Sequence, residues 1–426
     1  MTDTAPRLSP GKLTPTNWAS PEMAGKLKAR YASERRFRLV GLAAVSLSAL
    51  FLVCLMVSMT WNSLGGFTRT EIKLNIDFPA LALTVDQSQL QAPDAAEVLS
   101  RAGLADAVSL AAMQAYGPEG ASFVSDGAWV DVRSKLIANP GLLTQKVQMN
   151  ISASDDLASA ARGEGSPEMK AAYDRLSKQG AVGSAFDPGF LMRSDATDPG
   201  QVGIWGALKG SMLTMLVTLL LAFPIGVLSA LYLEEYAPKN RWTDIIEVSI
   251  NNLAAVPSII FGLLGLAVFL TFMGLPRSAP LVGGMTLALM TMPVIVISGR
   301  NAIKGVPPSI RDAALAIGAS RIQVVFHHVL PLALPGILTG TIIGMARALG
   351  ETAPLLMIGM RAFVASPPDG LTSPASVLPV QIFLWSDEVS RGFVERTSAA
   401  IIVLLVFLLL MNGVAIYLRN KFEQRW

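Results

Sequence analysis

The stretch Val306-Pro307-Pro308-Ser309-Ile310-Arg311-Asp312-Ala313-Ala314-Leu315-Ala316-Ile317-Gly318-Ala319-Ser320 decides how the chain is read. Its two prolines open a helix, since a proline in the first turn has no needed N–H to lose. Ile310, Ala313, Ala314 and Ile317 recur at i, i+3, i+4 and i+7, which is one helical face. Gly318 stops that helix, because glycine readily takes the left-handed backbone of a helix end. Ser320 then starts a second helix, with Gln323 three residues on, the spacing of a capping box. Ile322, Val325, Phe326 and Val329 form its face, and Leu330-Pro331 is expected to end it. Two readings stay open on physical grounds alone: an amphipathic pair lying on a membrane, or a rigid lever that fits a groove in a partner.

Composition places this element beside a membrane. Of 426 residues, 52% are hydrophobic and 15% charged, with mean hydropathy +0.48. A soluble domain carries about 25% charge, so this much apolar surface calls for lipid as a second solvent. A bilayer core of ~30 Å needs about 20 apolar residues in helical form. Such runs lie at Leu39–Trp61, Leu208–Leu233, Ile250–Met273, Pro280–Ser298, Pro335–Gly359 and Ala399–Leu418. The first is too long for a signal peptide and reads as an uncleaved span. Pro224, Pro257 and Pro293 fall inside runs, which membrane helices tolerate when neighbours satisfy the freed backbone groups.

The basic residues orient the six spans. Lys26, Lys28, Arg30, Arg35, Arg36 and Arg38 precede the first, placing the N-terminus in the cytoplasm. Alternation then puts Lys239 and Arg241, then Arg300, Lys304, Arg311 and Arg321, and finally Arg419, Lys421 and Arg425 on the same inner side. A count of five or seven would place one of these clusters outside. The net charge of +3 matters less than this placement. Cys54 is the one cysteine, so neither an intrachain disulfide nor a cysteine metal cage can form. His327 and His328 are adjacent and point to different helix faces, so they are read as polar residues at a membrane surface with no metal site.

The chain divides into a cytoplasmic tail at 1–38, disordered before residue 20, a first span at 39–61, an outer domain at 62–203 and a core at 204–426 with the inner loop 299–334. The insertion at 62–203 is polar and reads as a small mixed α/β domain. Thr70, Ile72, Leu74, Ile76 and Phe78 alternate with polar residues as a half-buried strand does. Residues 94–114 are expected to be one helix, and Ser166-Pro167-Glu168 opens another. The region has no histidine or cysteine and shows no catalytic constellation, so a docking or regulatory role is expected.

The spacing of Asp312-Ala313-Ala314, Gly318 and Val329-Leu330-Pro331 resembles the EAA loop of ABC importer permeases. In that family the loop carries a coupling helix seated in a cleft of the ATP-binding subunit. The resemblance therefore assigns ATPase coupling to Asp312, Ala313, Ala314, Gly318, Leu330 and Pro331. Asp312 stands where glutamate is usual, and His328 where an aliphatic residue is usual. The chain has no G-x-x-x-x-G-K-[ST] phosphate loop, in keeping with a separate ATPase that holds ATP and magnesium.

The fifth run holds Gly344-Met345-Ala346-Arg347-Ala348-Leu349-Gly350-Glu351-Thr352-Ala353-Pro354. Arg347 is expected half-way along its span, where an arginine costs ~2.5–3.5 kcal/mol on insertion scales. Glu351 follows at i+4 and can pair with it, in the weaker orientation. Either this is a structural ion pair between packed helices, or it is a polar strip on a translocation path, where a guanidinium binds an anion through several donors. The run Arg347 to Leu355 is similar to the A-R-x-x-G-E-T-A-P-L stretch of phosphate importer permeases of the PstA and PstC kind. Asn252 to Ile259 and Gly262-Leu-Leu-Gly265 look closer to PstA. The resemblance implies an all-α, polytopic type I importer fold in the bacterial inner membrane, with both termini cytoplasmic. It implies a PstC-like partner permease, two PstB-like ATPases and a periplasmic phosphate-binding protein, with lipid and no nucleic acid as other contacts. Arg347, Glu351 and Thr352 become expected path residues, with no catalytic or metal site and no cofactor in this chain. A sulfate or molybdate permease is the nearer alternative, and a membrane sensor using the outer domain the more distant one.

Overall fold

The computed structural model describes residues 21–422 except 82 and 93. The tail before residue 20 and Arg425 lie outside the described residues. The chain forms two units, Met1–Met59 and Thr60–Trp426. The first holds most of the 46-residue helix α1 (Pro21–Gly66), which carries the basic cluster and the first apolar run on one unbroken element.

In the second unit, a three-stranded antiparallel sheet leads. The strand β1 (Thr68–Asp77) lies between β2 (Lys146–Ser152) and β3 (Val182–Phe186). Its alternation is the one expected: Ile72, Leu74 and Ile76 are fully buried, opposite Ile151, Met149 and Val147. Full burial of such a side chain stabilises by about 1.5–3 kcal/mol. The buried face meets Leu99 of α2 (Ala95–Arg101), Leu104 and Val108 of α3 (Leu104–Tyr116), Val132 and Leu136 of α4 (Ala128–Ala138), Leu157 of α5 (Asp155–Ala161) and Leu176 of α6 (Pro167–Lys178). Two helices thus stand where one was expected over 94–114. Gly103, with φ of 74°, ends α2 and turns the chain, which leaves Leu110 exposed on α3. The capping serine is as expected, since Ser166 Oγ accepts from Met169 N at 3.2 Å.

After α7 (Gly189–Met192) the chain is almost entirely helical. Five described helices are long and apolar enough to cross a membrane: Met23–Gly66, Trp205–Tyr236, Pro280–Lys304, Arg321–Gly350 and Arg391–Lys421. The remaining expected run, Ile250–Met273, falls on a pair, α9 (Arg241–Ala254) and α10 (Ser258–Leu264, continued as a wider turn to Phe272), bent by 104°, which makes up to six spans if the pair is one. Pro257 breaks it, because its ring removes an N–H and drives Val256 out of helical geometry. Pro224 in α8 (Trp205–Leu231) and Pro293 in α11 (Pro280–Lys304) stay inside their helices, as expected.

The α8–α11 seam is close because small residues line it. A Cβ on Gly284 would lie 2.4 Å from Val217 Cβ and 2.8 Å from Thr214 O. Thr218 Oγ1 donates to Thr214 O and, across the seam, to Gly284 O at 3.3 Å. A separate cluster joins the α/β domain to the helical core. Phe190 of α7 packs on Phe67 and on Trp385, which in turn meets Phe393. Trp385 Nε1 also donates to Asp195 Oδ1 at 3.1 Å.

Candidate functional site

The loop after α11 folds into the two helices expected of it. The first, α12 (Pro308–Ala316), has Pro308 in its first turn. It ends in a paired stop: Gly318 N donates to Leu315 O at 2.9 Å and Ala319 N to Ala314 O at 3.1 Å. Gly318 has φ of 88°, the left-handed backbone this stop requires. The second, α13 (Arg321–Gln323), is capped reciprocally, with Gln323 N on Ser320 Oγ and Ser320 N on Gln323 Oε1.

This second helix does not end at Leu330-Pro331. It passes through a π turn over Val324–Val329 into α14 (Leu330–Gly350), and the wider turn accommodates Pro331, which has no N–H to give to the preceding turn. One helix of 30 residues, Arg321–Gly350, therefore leads from the loop into the core. The expected apolar faces are only partly packed. Ala314, Val325 and Val329 are buried and Ile310 half-buried, whereas Ala313 and Ile317 are exposed, Ile317 by 82%. Ile322 and Phe326 also face outward, as does Leu315. Asp312 is exposed and makes no ion pair among the described residues.

The residue that ties α12 down is its neighbour. Arg311 Nε and Nη2 donate to Glu235 Oε1 at 3.1 and 2.8 Å, Nη1 to Val306 O at 2.7 Å, and Nη2 to Ile303 O at 3.0 Å. Glu235 lies in the π turn Tyr232–Tyr236 that closes α8. Beside it, Glu234 pairs with Arg300 of α11, and Arg300 Nη2 reaches Glu247 Oε2 of α9 at 2.7 Å. In the sequence, Arg300 and Arg311 stand only as basic residues that orient the spans. The adjacent acids Glu234-Glu235 at the end of an apolar run were the available signal.

At its far end, α14 stops at Gly350, short of the expected Gly359. Arg347 thus sits in the last turn and not at mid-span, where a cation complements the carbonyl end of the helix. Glu351 has left the helix, with φ −79° and ψ 121°, and Thr352 leads into α15 (Ala353–Met357). Arg347 Nε and Glu351 Oε1 are 3.4 Å apart, a loose pair, and Arg347 is 52% exposed. The three expected path residues therefore gather at one helix break. α10 packs against that break: a Cβ on Gly262 would lie 2.7 Å from Pro354 Cα. The bend at Pro257 brings the two stretches that carried the resemblance together.

Two family models match the chain. Residues 24–171 match a domain of unknown function (DUF3333), and residues 222–425 match the binding-protein-dependent transport system inner membrane component. The probable ABC transporter permease protein YqgI of Bacillus subtilis is 36% identical over 173 residues, 40% of this chain and 55% of that protein. The phosphate transport system permease protein PstA 1 of Mycobacterium tuberculosis is 34% identical over 156 residues, 37% of this chain and 51% of that protein. The chain spans about half the length of these two relatives. The phosphate transport system permease protein PstA of Pasteurella multocida is 30% identical over 228 residues, 53% of this chain and 79% of that protein.

Proposed function

The chain belongs to the PstA family of ABC transporter permeases, and on that premise we propose that it is the permease subunit of an ATP-driven phosphate importer. In this reading it is a type I importer permease of the bacterial inner membrane. The bent pair α9–α10 counts as the sixth span, both termini are cytoplasmic, and residues 62–203 form a periplasmic domain ahead of the core 204–426. A PstC-like permease completes the path, and a periplasmic phosphate-binding protein delivers the anion. Two PstB-like ATPases bind ATP and magnesium and dock on the loop 299–334, so this chain carries transport and no hydrolysis.

The observation that best supports this reading is the unbroken helix from the loop to the polar break. It begins next to Ser320 and bears Arg347 27 residues later, about 40 Å away at 1.5 Å per residue. A displacement of the ATPase-facing end is thereby delivered to the anion-facing end without a hinge. The outward Leu315, Ile317, Ile322 and Phe326 supply an apolar docking face around Asp312. At the other end, an arriving phosphate competes with Glu351 for the Arg347 guanidinium, which binds planar oxyanion edges through paired donors. The loose 3.4 Å pair makes that exchange cheap, and its closure ejects the anion. Such a site is transient by construction. Thr352, next to the carboxylate, offers a hydroxyl to the same anion.

Arg347→Gln tests this assignment. ATP-driven phosphate uptake by the assembled complex should fall to background while assembly stays intact. Unchanged uptake would remove Arg347 from the path.

A further inference from the structure

We propose that Arg311 is the positioning residue that converts movement of the loop helix into movement of the inner ends of the bundle. The inference rests on the coupling reading of the loop. α12 packs on the core through Ala314 and Ile310, and an apolar contact of this kind, having no direction, would let the helix slide or roll and lose the displacement. Arg311 prevents this with one planar fork. Its three nitrogens reach a carboxylate at the end of α8 and two carbonyls at the end of α11, all within 3.1 Å. An arginine can hold three acceptors on two elements at fixed angles, whereas a lysine presents a single rotating ammonium.

The clasp does not stop at α8. Glu234 beside Glu235 pairs with Arg300, whose other arm holds Glu247 of α9. α9 leads through the Pro257 bend to α10, and Gly262 of α10 lies against Pro354, three residues beyond Glu351. The loop thus has a second mechanical route to the polar break, independent of the continuous helix 321–350. Asp312, the residue that the sequence pattern singles out, is exposed and takes no part in these contacts.

The test measures phosphate transported per ATP hydrolysed by the complete complex in proteoliposomes, normalised to assembled complex. A merely stabilising residue alters yield and leaves this ratio unchanged. Arg311→Gln and Arg311→Lys should both lower the ratio, by a factor within the roughly 5- to 150-fold range of a coupling free energy. Glu235→Gln, which leaves the two carbonyl bonds in place, should lower it less. The double variant should be no worse than Arg311→Gln alone, since both remove the same link. If Arg311→Gln does not assemble, the Glu235→Gln ratio decides: a fall supports the proposal and an unchanged ratio overturns it. A wild-type ratio in Arg311→Gln, or additive losses in the double variant, likewise overturns it. Ile317→Asp, on the docking face, separates the two levels. Loss of ATPase association in that variant with a normal Arg311→Gln ratio sinks the clasp alone, whereas retained association sinks the coupling reading with it.

Discussion

Arg396 of the last helix, α17 (Arg391–Phe422), holds Asp187 of the α/β domain through Nη2 and Oδ2 at 3.0 Å, and the two side chains are 4% and 2% exposed. The same guanidinium donates from Nη1 to Gly66 O at 2.7 Å and from Nε to Pro199 O at 2.9 Å. Its plane lies over the Phe190 ring at 5.1 Å. Asp187 also binds Arg193 at 2.8 Å, and Arg193 continues to Gln201, which reaches Asp131 of α4. Residues 62–203 are therefore fastened to the core where they begin and where they end. The domain is part of one compact unit with the helices that follow it.

Breaking that fastening should be costly. Arg396→Met leaves Asp187 buried with only Arg193 and strips two carbonyls of their donor. Removing one partner of a buried pair costs about 3–5 kcal/mol. Thermal unfolding of the purified chain in detergent should shift clearly downward, and Arg396→Lys should recover only part of the loss. An unchanged midpoint in Arg396→Met would show that the α/β domain is not held this way.

Gly318 carries a different kind of sensitivity. At φ of 88° a β-branched side chain is strained, at roughly 1–2 kcal/mol for the left-handed region. Gly318→Val should therefore unseat the helix stop and uncouple ATP hydrolysis from uptake, or prevent ATPase association. Gly318→Asn should be milder, because asparagine tolerates this region. Equal effects of the two variants on ATPase association would argue against a backbone origin.

Asp195 gives a pH signature. Burial pushes its carboxyl above the ordinary range, against the lowering effect of the hydrogen bonds that it accepts from Trp385 and the Ala196 N–H. A carboxyl with a raised folded-state pKa binds its proton more tightly when folded. Its stabilising contribution is complete below the unfolded value and is lost as pH rises through the folded one. Stability of the junction between the α/β domain and the helices should fall as pH rises from the ordinary aspartate value through the raised one. Asp195→Asn should flatten that dependence, as read by Tm against pH. A slope identical to wild type would assign the dependence to another group.

Much of the molecule is legible in local pattern. Ile72, Leu74 and Ile76 announce their strand by alternation, Ser166 and Ser320 their helices by capping spacing, and Gly318 its stop by residue type. The parts that are not legible depend on partners far away in sequence. Arg396 reads as a charge flanking an apolar run, yet its acceptors lie 330 and 209 residues earlier. The run Ile250–Met273 is apolar enough for one span, and its hydropathy does not show that Pro257 bends it by 104° where Pro224 and Pro293 stay inside straight-running helices. Arg347 was expected at mid-helix because helical pattern continues past Gly350, whereas the break there is made by α15 and its neighbours. Arg311 and Asp312 are adjacent, and only the fold tells which of them faces inward.

The central claim is that this chain passes phosphate at the expense of ATP. It is tested most directly by reconstituting it in proteoliposomes with the partner permease, ATPase and binding protein of its own system. Uptake of labelled phosphate should then require ATP, be displaced by unlabelled phosphate and resist excess sulfate or molybdate. Phosphate uptake that is indifferent to ATP, or ATP-driven uptake that prefers sulfate or molybdate, would contradict it.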